Sequence, residues 1–157
     1  MKLSAQPRVN TPPLHGEIVK NIEDCVVLHV EDDDATAVLF QLAMKEAKLK
    51  PLLFRMRDGA EALDFVLKTG QYPAAPQPDL IILDLNLPRM TGLEVLAAIK
   101  GNPHLRDIPA YILTTSIDSR DEAKAMALGA TGYLTKGDSL EAFTKSVKRA
   151  CQSLTGG

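Results

Sequence analysis

The sequence predicts one α/β domain, a doubly wound parallel sheet of five strands and five helices in strand order 2-1-3-4-5. Three observations predict it. From Cys25 onward, short apolar runs alternate with segments of helical spacing, the arrangement that builds a parallel sheet covered on both faces. Four of the helical segments open on Ser, Thr or Asp followed three residues later by Glu. At that spacing a cap and the third helical residue satisfy each other's backbone N–H groups. The apolar runs also divide into continuous and interrupted ones, which separates strands buried on both sides from sheet edges.

The first run, Val26-Val27-Leu28-His29-Val30, is apolar apart from His29, which reads as a core histidine with its hydrogen bonds satisfied. A helix over 35–48 follows, with apolar positions Val38, Leu42 and Leu49 and with Asp34 as its cap. It alone lacks the capping-box Glu. The second run, 52–56, is broken by Arg55, and Asp58 with Glu61 opens the second helix. A long loop over 69–78 leads to the third run, Leu80-Ile81-Ile82-Leu83, and Thr91 with Glu94 opens the next helix. The fourth run, 110–113, precedes a helix opened by Ser119 and Glu122. The fifth, 132–135, carries Gly132 and Thr135 and suits an edge. Asp138 with Glu141 opens the last helix, whose Leu140, Phe143, Val147, Cys151 and Leu154 share one face. With runs one, three and four central and two and five at the edges, the switch point falls between strands one and three. Ligands bind there, beyond the carboxyl ends of the strands.

Composition narrows the function classes. A chain of 157 residues can bury a proper core. Its net charge of −2 argues against a nucleic-acid-coating protein. No apolar run approaches the ~18 residues that span a bilayer, and no signal-peptide pattern opens the chain, so a cytoplasmic protein without membrane contact is expected. Cys25 and Cys151 form no metal-binding spacing and read as reduced thiols. Residues 1–23, with Pro7, Pro12 and Pro13, read as a loose arm, and 24–157 as the folded domain. Nothing of an output domain's length remains after the last helix.

The strand ends carry the chemistry. Strand one runs into Glu31-Asp32-Asp33-Asp34, strand three ends in Asp84, strand four in Thr114-Thr115-Ser116 and strand five in Lys136. In this fold the strand-one carboxylates face Asp84 across the crevice. Two carboxylates ~4 Å apart repel by about 4 kcal/mol at an effective dielectric near 20. Either their pKa values rise or a divalent cation neutralises them. All-oxygen donors with room for water and phosphate suit Mg²⁺. A hydroxyl (Thr114) and a cation (Lys136) match phosphoryl oxygens. The implied chemistry is phosphoryl transfer onto a carboxylate nucleophile. Asp33 and Asp34 read as a solvated helix N-terminus favoured by the helix dipole.

Glu31-Asp32, Leu83-Asp84-Leu85-Asn86-Leu87-Pro88 with Gly92, Thr114 and Lys136 resemble, in order and spacing, the receiver domain of two-component response regulators. The resemblance spans about 25–154 and implies a flavodoxin-like fold. It implies that Asp84 accepts a phosphoryl group from a histidine kinase's phosphohistidine. Asp32, Asp84 and the backbone carbonyl of Asn86 would ligate Mg²⁺ directly, and Glu31 would do so through water. Thr114 would hydrogen-bond the phosphoryl group and Lys136 would pair with it. Tyr133 occupies the aromatic switch position, whose rotamer follows Thr114. Residues 113–116, the Asn86-Leu87-Pro88 turn and the 69–78 loop are most similar to stand-alone regulators paired with phytochrome-type kinases.

Such a module implies output through a downstream protein or phosphorelay partner, and a homodimer through helix four, strand five and helix five. It catalyses only its own phosphorylation and dephosphorylation. One departure stands out: Gly137 follows Lys136 where the family usually has proline. A cis bond there costs a non-proline residue about 2.5–4 kcal/mol, so this loop is expected to be built differently.

Two other classes share parts of the pattern. A phosphohydrolase forming its own aspartyl phosphate generally has a second aspartate two residues after the nucleophile, where this chain has Asn86. A flavin carrier of the same fold needs a Ser/Thr-rich phosphate loop after strand one, where this chain is acidic.

Overall fold

The computed structural model describes residues 21–113, 118–136 and 139–155. Five parallel strands, β1 (Val26–Val30), β2 (Leu52–Met56), β3 (Leu80–Leu83), β4 (Ala110–Leu113) and β5 (Gly132–Leu134), lie in the order β2-β1-β3-β4-β5. Helices α1 (Asp34–Glu46), α2 (Gly59–Leu67), α3 (Gly92–Lys100), α4 (Ser119–Leu128) and α5 (Leu140–Thr155) follow them in turn. The expected order and alternation hold. β5 stops at Leu134, one residue earlier than its apolar run suggested.

Alternation along the central strands feeds two cores. Val27, Leu80 and Ile82 face α1 and α5, where Phe40, Ala43, Phe143 and Val147 pack. Leu28, Ile81 and Leu83 face the other way, against Phe65, Val95, Leu96 and Ala125 of α2, α3 and α4. Cys25 and Cys151 are both buried and are not joined in a disulfide.

The apolar face of α1 differs from the expected one. Val38 and Leu42 are 54% and 45% exposed, and the buried stripe is Thr36, Ala37, Phe40, Ala43 and Met44. The cap differs as well. Asp33, rather than Asp34, is the N-cap, its carboxylate accepting from Thr36 N–H at 2.9 Å. Packing against the sheet buries Phe40 together with the two small alanines Ala37 and Ala43. Leu140 likewise stays at the surface of α5 while Phe143, Val147, Ala150 and Cys151 are buried.

The capping boxes resolve individually. Thr91 and Glu94 form the complete reciprocal pair. Asp58 accepts from Glu61 N–H, but the Glu61 carboxylate reaches Arg57 N–H instead of Asp58 N–H. On α4 the cap is Asp118, not Ser119. Asp138 lies outside the described residues; the Ser139 hydroxyl accepts from Ala142 N–H at the start of α5.

α3 begins directly behind the end of β3, and Gly92 makes this possible. A Cβ at Gly92 would sit 2.1 Å from the Asp84 carbonyl oxygen and 2.6 Å from the Leu85 Cα. Both obstacles are backbone, so neither can rotate away. Gly92→Ala is therefore expected to destabilise the domain by about 1–3 kcal/mol through overpacking, and to displace the 84–88 loop. Urea unfolding measures the first and amide chemical shifts of residues 84–88 the second.

Candidate functional site

Strand register builds the site. Val30 pairs with Leu83, and Asp84 N–H donates to the Val30 carbonyl at 3.0 Å. The next residue on each strand, Glu31 and Asp84, therefore stands beside the other. Glu31 is further held through its backbone, its N–H donating to the Met56 carbonyl and its carbonyl accepting from Arg55 Nε, both at 2.9 Å. A cavity of about 200 Å³ opens above, lined by Glu31, Asp32, Asp33, Thr36, Asp84 and Asn86.

Glu31, Asp32 and Asp84 each offer a carboxylate oxygen within 4.8 Å of the others. Glu31 and Asp84 are buried and Asp32 is exposed. Burial, reinforced by the Asp84 charge, pushes the Glu31 carboxyl up to about 8. One Glu31 oxygen accepts from Asp33 N–H at 3.2 Å; the other, Oε1, is buried without a hydrogen-bond partner. Asn86 N–H donates to Asp84 Oδ1 at 3.1 Å and orients that carboxyl. A divalent cation fits this donor set: oxygen ligands only, one of them a buried orphan, with repulsion that an ion would relieve.

The other two carboxylates of the acidic run do different work. Hydrogen bonds from Thr36 hold Asp33 below the usual carboxylate range. Asp34 is held low by Arg55 and Arg57, its Oδ1 2.9 Å from Arg55 Nη1 and 2.8 Å from Arg57 Nη2. The run thus separates into two pocket carboxylates, one cap and one ion pair.

His29 is buried but not satisfied, which departs from expectation. Its Nε2 has no hydrogen-bond partner and lies 3.8 Å from Glu31 Oε1. Burial, with the Arg55 charge, lowers its pKa to about 3, so the ring is neutral beside a Glu31 whose carboxyl is pushed upward. Phe40 packs against it at 4.6 Å between centroids.

Of the remaining expected site residues, Lys136 reaches the pocket wall, where Nζ donates to the Thr36 hydroxyl at 3.2 Å. Tyr133 is half-buried against the core on the α2–α4 side, and its hydroxyl is buried without a partner among the described residues. Thr114 and Gly137 lie outside the described residues. Sequence reasoning missed Thr36 and Arg55. Thr36 was signalled by Asp33-x-x-Thr36, a cap partnered at the third helical residue. Arg55 was signalled by a lone cation in an apolar strand, which needs acceptors close by.

An acidic pocket at the switch point of a 2-1-3-4-5 parallel sheet defines a class: doubly wound α/β domains that take their ligand beyond the strand ends. The particular family follows from comparison with known proteins. Residues 27–148 match the response regulator receiver domain. Response regulator Rcp1 of Synechocystis is 42% identical over 123 residues, covering 78% of this chain and 84% of Rcp1. The crystal structure of the Mn²⁺-bound form of Rcp1 superposes with a TM-score of 0.74 at 40% identity, over 83% of this chain and 94% of that one. The phosphorylated cyanobacterial phytochrome response regulator RcpA does so at 0.75 and 37% identity, over 82% and 92%. The chain belongs to the response regulator receiver domain family, whose members act as phosphoacceptor switches with histidine kinases.

The two buried neighbours give the metal-free protein an asymmetric pH profile. The raised pKa of Glu31 stabilises the fold below the ordinary glutamate value, near 4.5, and that contribution is lost as pH rises through about 8. The depressed pKa of His29 stabilises the fold above 6.5, and that contribution is lost as pH falls toward about 3. Between 4.5 and 6.5 the slopes oppose each other; from 6.5 to 8 only Glu31 acts. In EDTA, urea midpoints of wild type should fall from pH 6.5 to 8, and Glu31→Gln should flatten that fall.

Proposed function

We propose that this chain is a receiver that takes a phosphoryl group onto Asp84 in a Mg²⁺-dependent reaction and signals through the resulting change of shape. The observation that carries the reading is the meeting of Glu31, Asp32 and Asp84 within 4.8 Å at the switch point, with a buried Glu31 oxygen left unpartnered. Residues 24–157 form the receiver in this reading, with 1–23 as an arm.

Asp84 supplies the nucleophilic oxygen. As its bond to phosphorus forms, the phosphorus–nitrogen bond of a kinase phosphohistidine breaks, and the imidazole leaves with that electron pair. Asn86 N–H keeps the Asp84 carboxyl oriented during attack. Asp32, Asp84 and the Asn86 carbonyl would hold Mg²⁺, with Glu31 through water. When bound, the ion neutralises the crowded carboxylates and the charge on the phosphoryl oxygens. Lys136 offsets the nearly two negative charges a phosphoryl group adds. Thr114 donates its hydroxyl to the same group, and Tyr133 responds to the space Thr114 vacates. Water later hydrolyses the acyl phosphate at the same site, without turnover of other substrates.

The partner is a sensor histidine kinase of the phytochrome type, a reading supported by the similarity to RcpA. A downstream protein or phosphorelay carries the signal on. No helix among the described residues is long and apolar enough to cross a membrane, which suits work in the cytoplasm. The face formed by α4, β5 and α5, where Met126 and Leu128 are exposed, is the dimer surface in this reading.

Acetyl phosphate with Mg²⁺ should place one acid-labile label on wild type and none on Asp84→Asn. An acid-stable label, or one that persists in that variant, overturns the assignment. Asp32→Ala should lose Mg²⁺ binding in a fluorescence or calorimetric titration, and unchanged binding would remove Asp32 from the site.

A further inference from the structure

Lys136 reaches a pocket rich in carboxylates, yet its ammonium does not rest on Glu31 or Asp84. Among the described residues it forms no ion pair with either. Nζ donates instead to Thr36 Oγ1 at 3.2 Å. Thr36 is 4% exposed and lines the same cavity as the three pocket carboxylates. Its hydroxyl has a single proton, and the geometry shows where it goes. Oγ1 lies 2.6 Å from Asp33 Oδ2, an acceptor, so the hydroxyl donates there and turns a lone pair toward Lys136. Ammonium, hydroxyl and capping carboxylate form a short chain along the wall.

We propose that Thr36 is a positioning residue: it berths Lys136 at the pocket wall while Asp84 is unmodified, and yields it when a phosphoryl group arrives. The inference rests on the reading of Asp84 as acceptor. Two cations cannot share the pocket carboxylates without repelling each other, so an ammonium held aside leaves those oxygens open to a divalent ion. A neutral hydroxyl suits the task. It holds the lysine through one hydrogen bond to a neutral acceptor, whereas a phosphoryl dianion adds attraction between full opposite charges to its hydrogen bond and takes the lysine from it. The berth is anchored at Asp33, which also caps α1, so its position is set by the same turn that brings Asp32 to the pocket.

Thr36→Val isolates the hydroxyl, since valine keeps the shape and the backbone N–H bond to Asp33. With the full chain, Mg²⁺ affinity should fall roughly 2–10-fold in Thr36→Val, the range one net hydrogen bond spans. The ¹³Cε and ¹Hε resonances of Lys136 should shift in the metal-free protein, as the ammonium moves onto the carboxylates. Thr36→Ser should restore both. On a Lys136→Met background, Thr36→Val should leave Mg²⁺ affinity where Lys136→Met alone puts it. Wild-type affinity in Thr36→Val overturns the inference. So does a loss of equal size on the Lys136→Met background, which would make the residue merely structural. Failure of wild type itself to bind Mg²⁺ and beryllofluoride overturns the acceptor reading and this inference with it; normal binding by wild type and Thr36→Val alike overturns the inference alone.

Discussion

The pairing of β1 with β3 places Val30 against Leu83, and the pocket depends on that register. Both strands are buried on both faces and end together at the carboxyl end of the sheet. Whatever follows them is forced side by side. Here that is Glu31 and Asp84, two carboxyls drawn out of water next to each other. The sheet can tolerate this because it draws on a deep apolar core on each side, and because one of the two carboxyls gives up its charge. Repulsion and burial together raise Glu31 to about 8. The same crowding makes the site receptive to a cation, so the cost of assembling the pocket and its capacity to bind arise from one arrangement.

Cationic side chains keep that charge from spreading. Arg55 grips the Glu31 carbonyl with Nε and Asp34 with Nη1, tying the edge strand to the β1–α1 turn. Arg57 joins it on Asp34. Across the loop after β3, Arg89 pairs with Asp58 at 2.9 Å, which links the segment behind Asp84 to the start of α2. These exposed pairs are each worth little to stability, about 0–1 kcal/mol. Their value is geometric, because both loops that supply pocket oxygens are fastened to neighbouring elements.

Packing is dense beneath the site and looser on the β5 side. Leu28, Ile81, Leu83 and Ile112 are completely buried beneath the pocket. Tyr133 lies on β5, an edge strand three residues long, against the α2–α4 core, and Lys136 follows two residues after that strand. Lys136 rests on a hydroxyl, and Tyr133 keeps its own hydroxyl buried without a partner.

The amino-acid order alone determined the alternation of strands and helices, their sheet order, and the carboxylates, lysine and glycine that mark the strand ends. These follow from local periodicity and from how apolar each strand must be when helices cover both faces. Tertiary structure decided what local pattern leaves free. The buried face of α1 was set by packing against the sheet, and Asp33 caps it because its carboxylate reaches Thr36 N–H and hydroxyl while Asp34 is drawn to Arg55 on β2 and Arg57 just after it. The meeting of Glu31 with Asp84, the pairing of Asp34 with Arg55 and Arg57 and the berth of Lys136 on Thr36 each join residues far apart in the chain. Lys136 and Thr36 are separated by 100 positions. Such contacts are set by where a parallel sheet delivers its strand ends, and no window of sequence contains both partners.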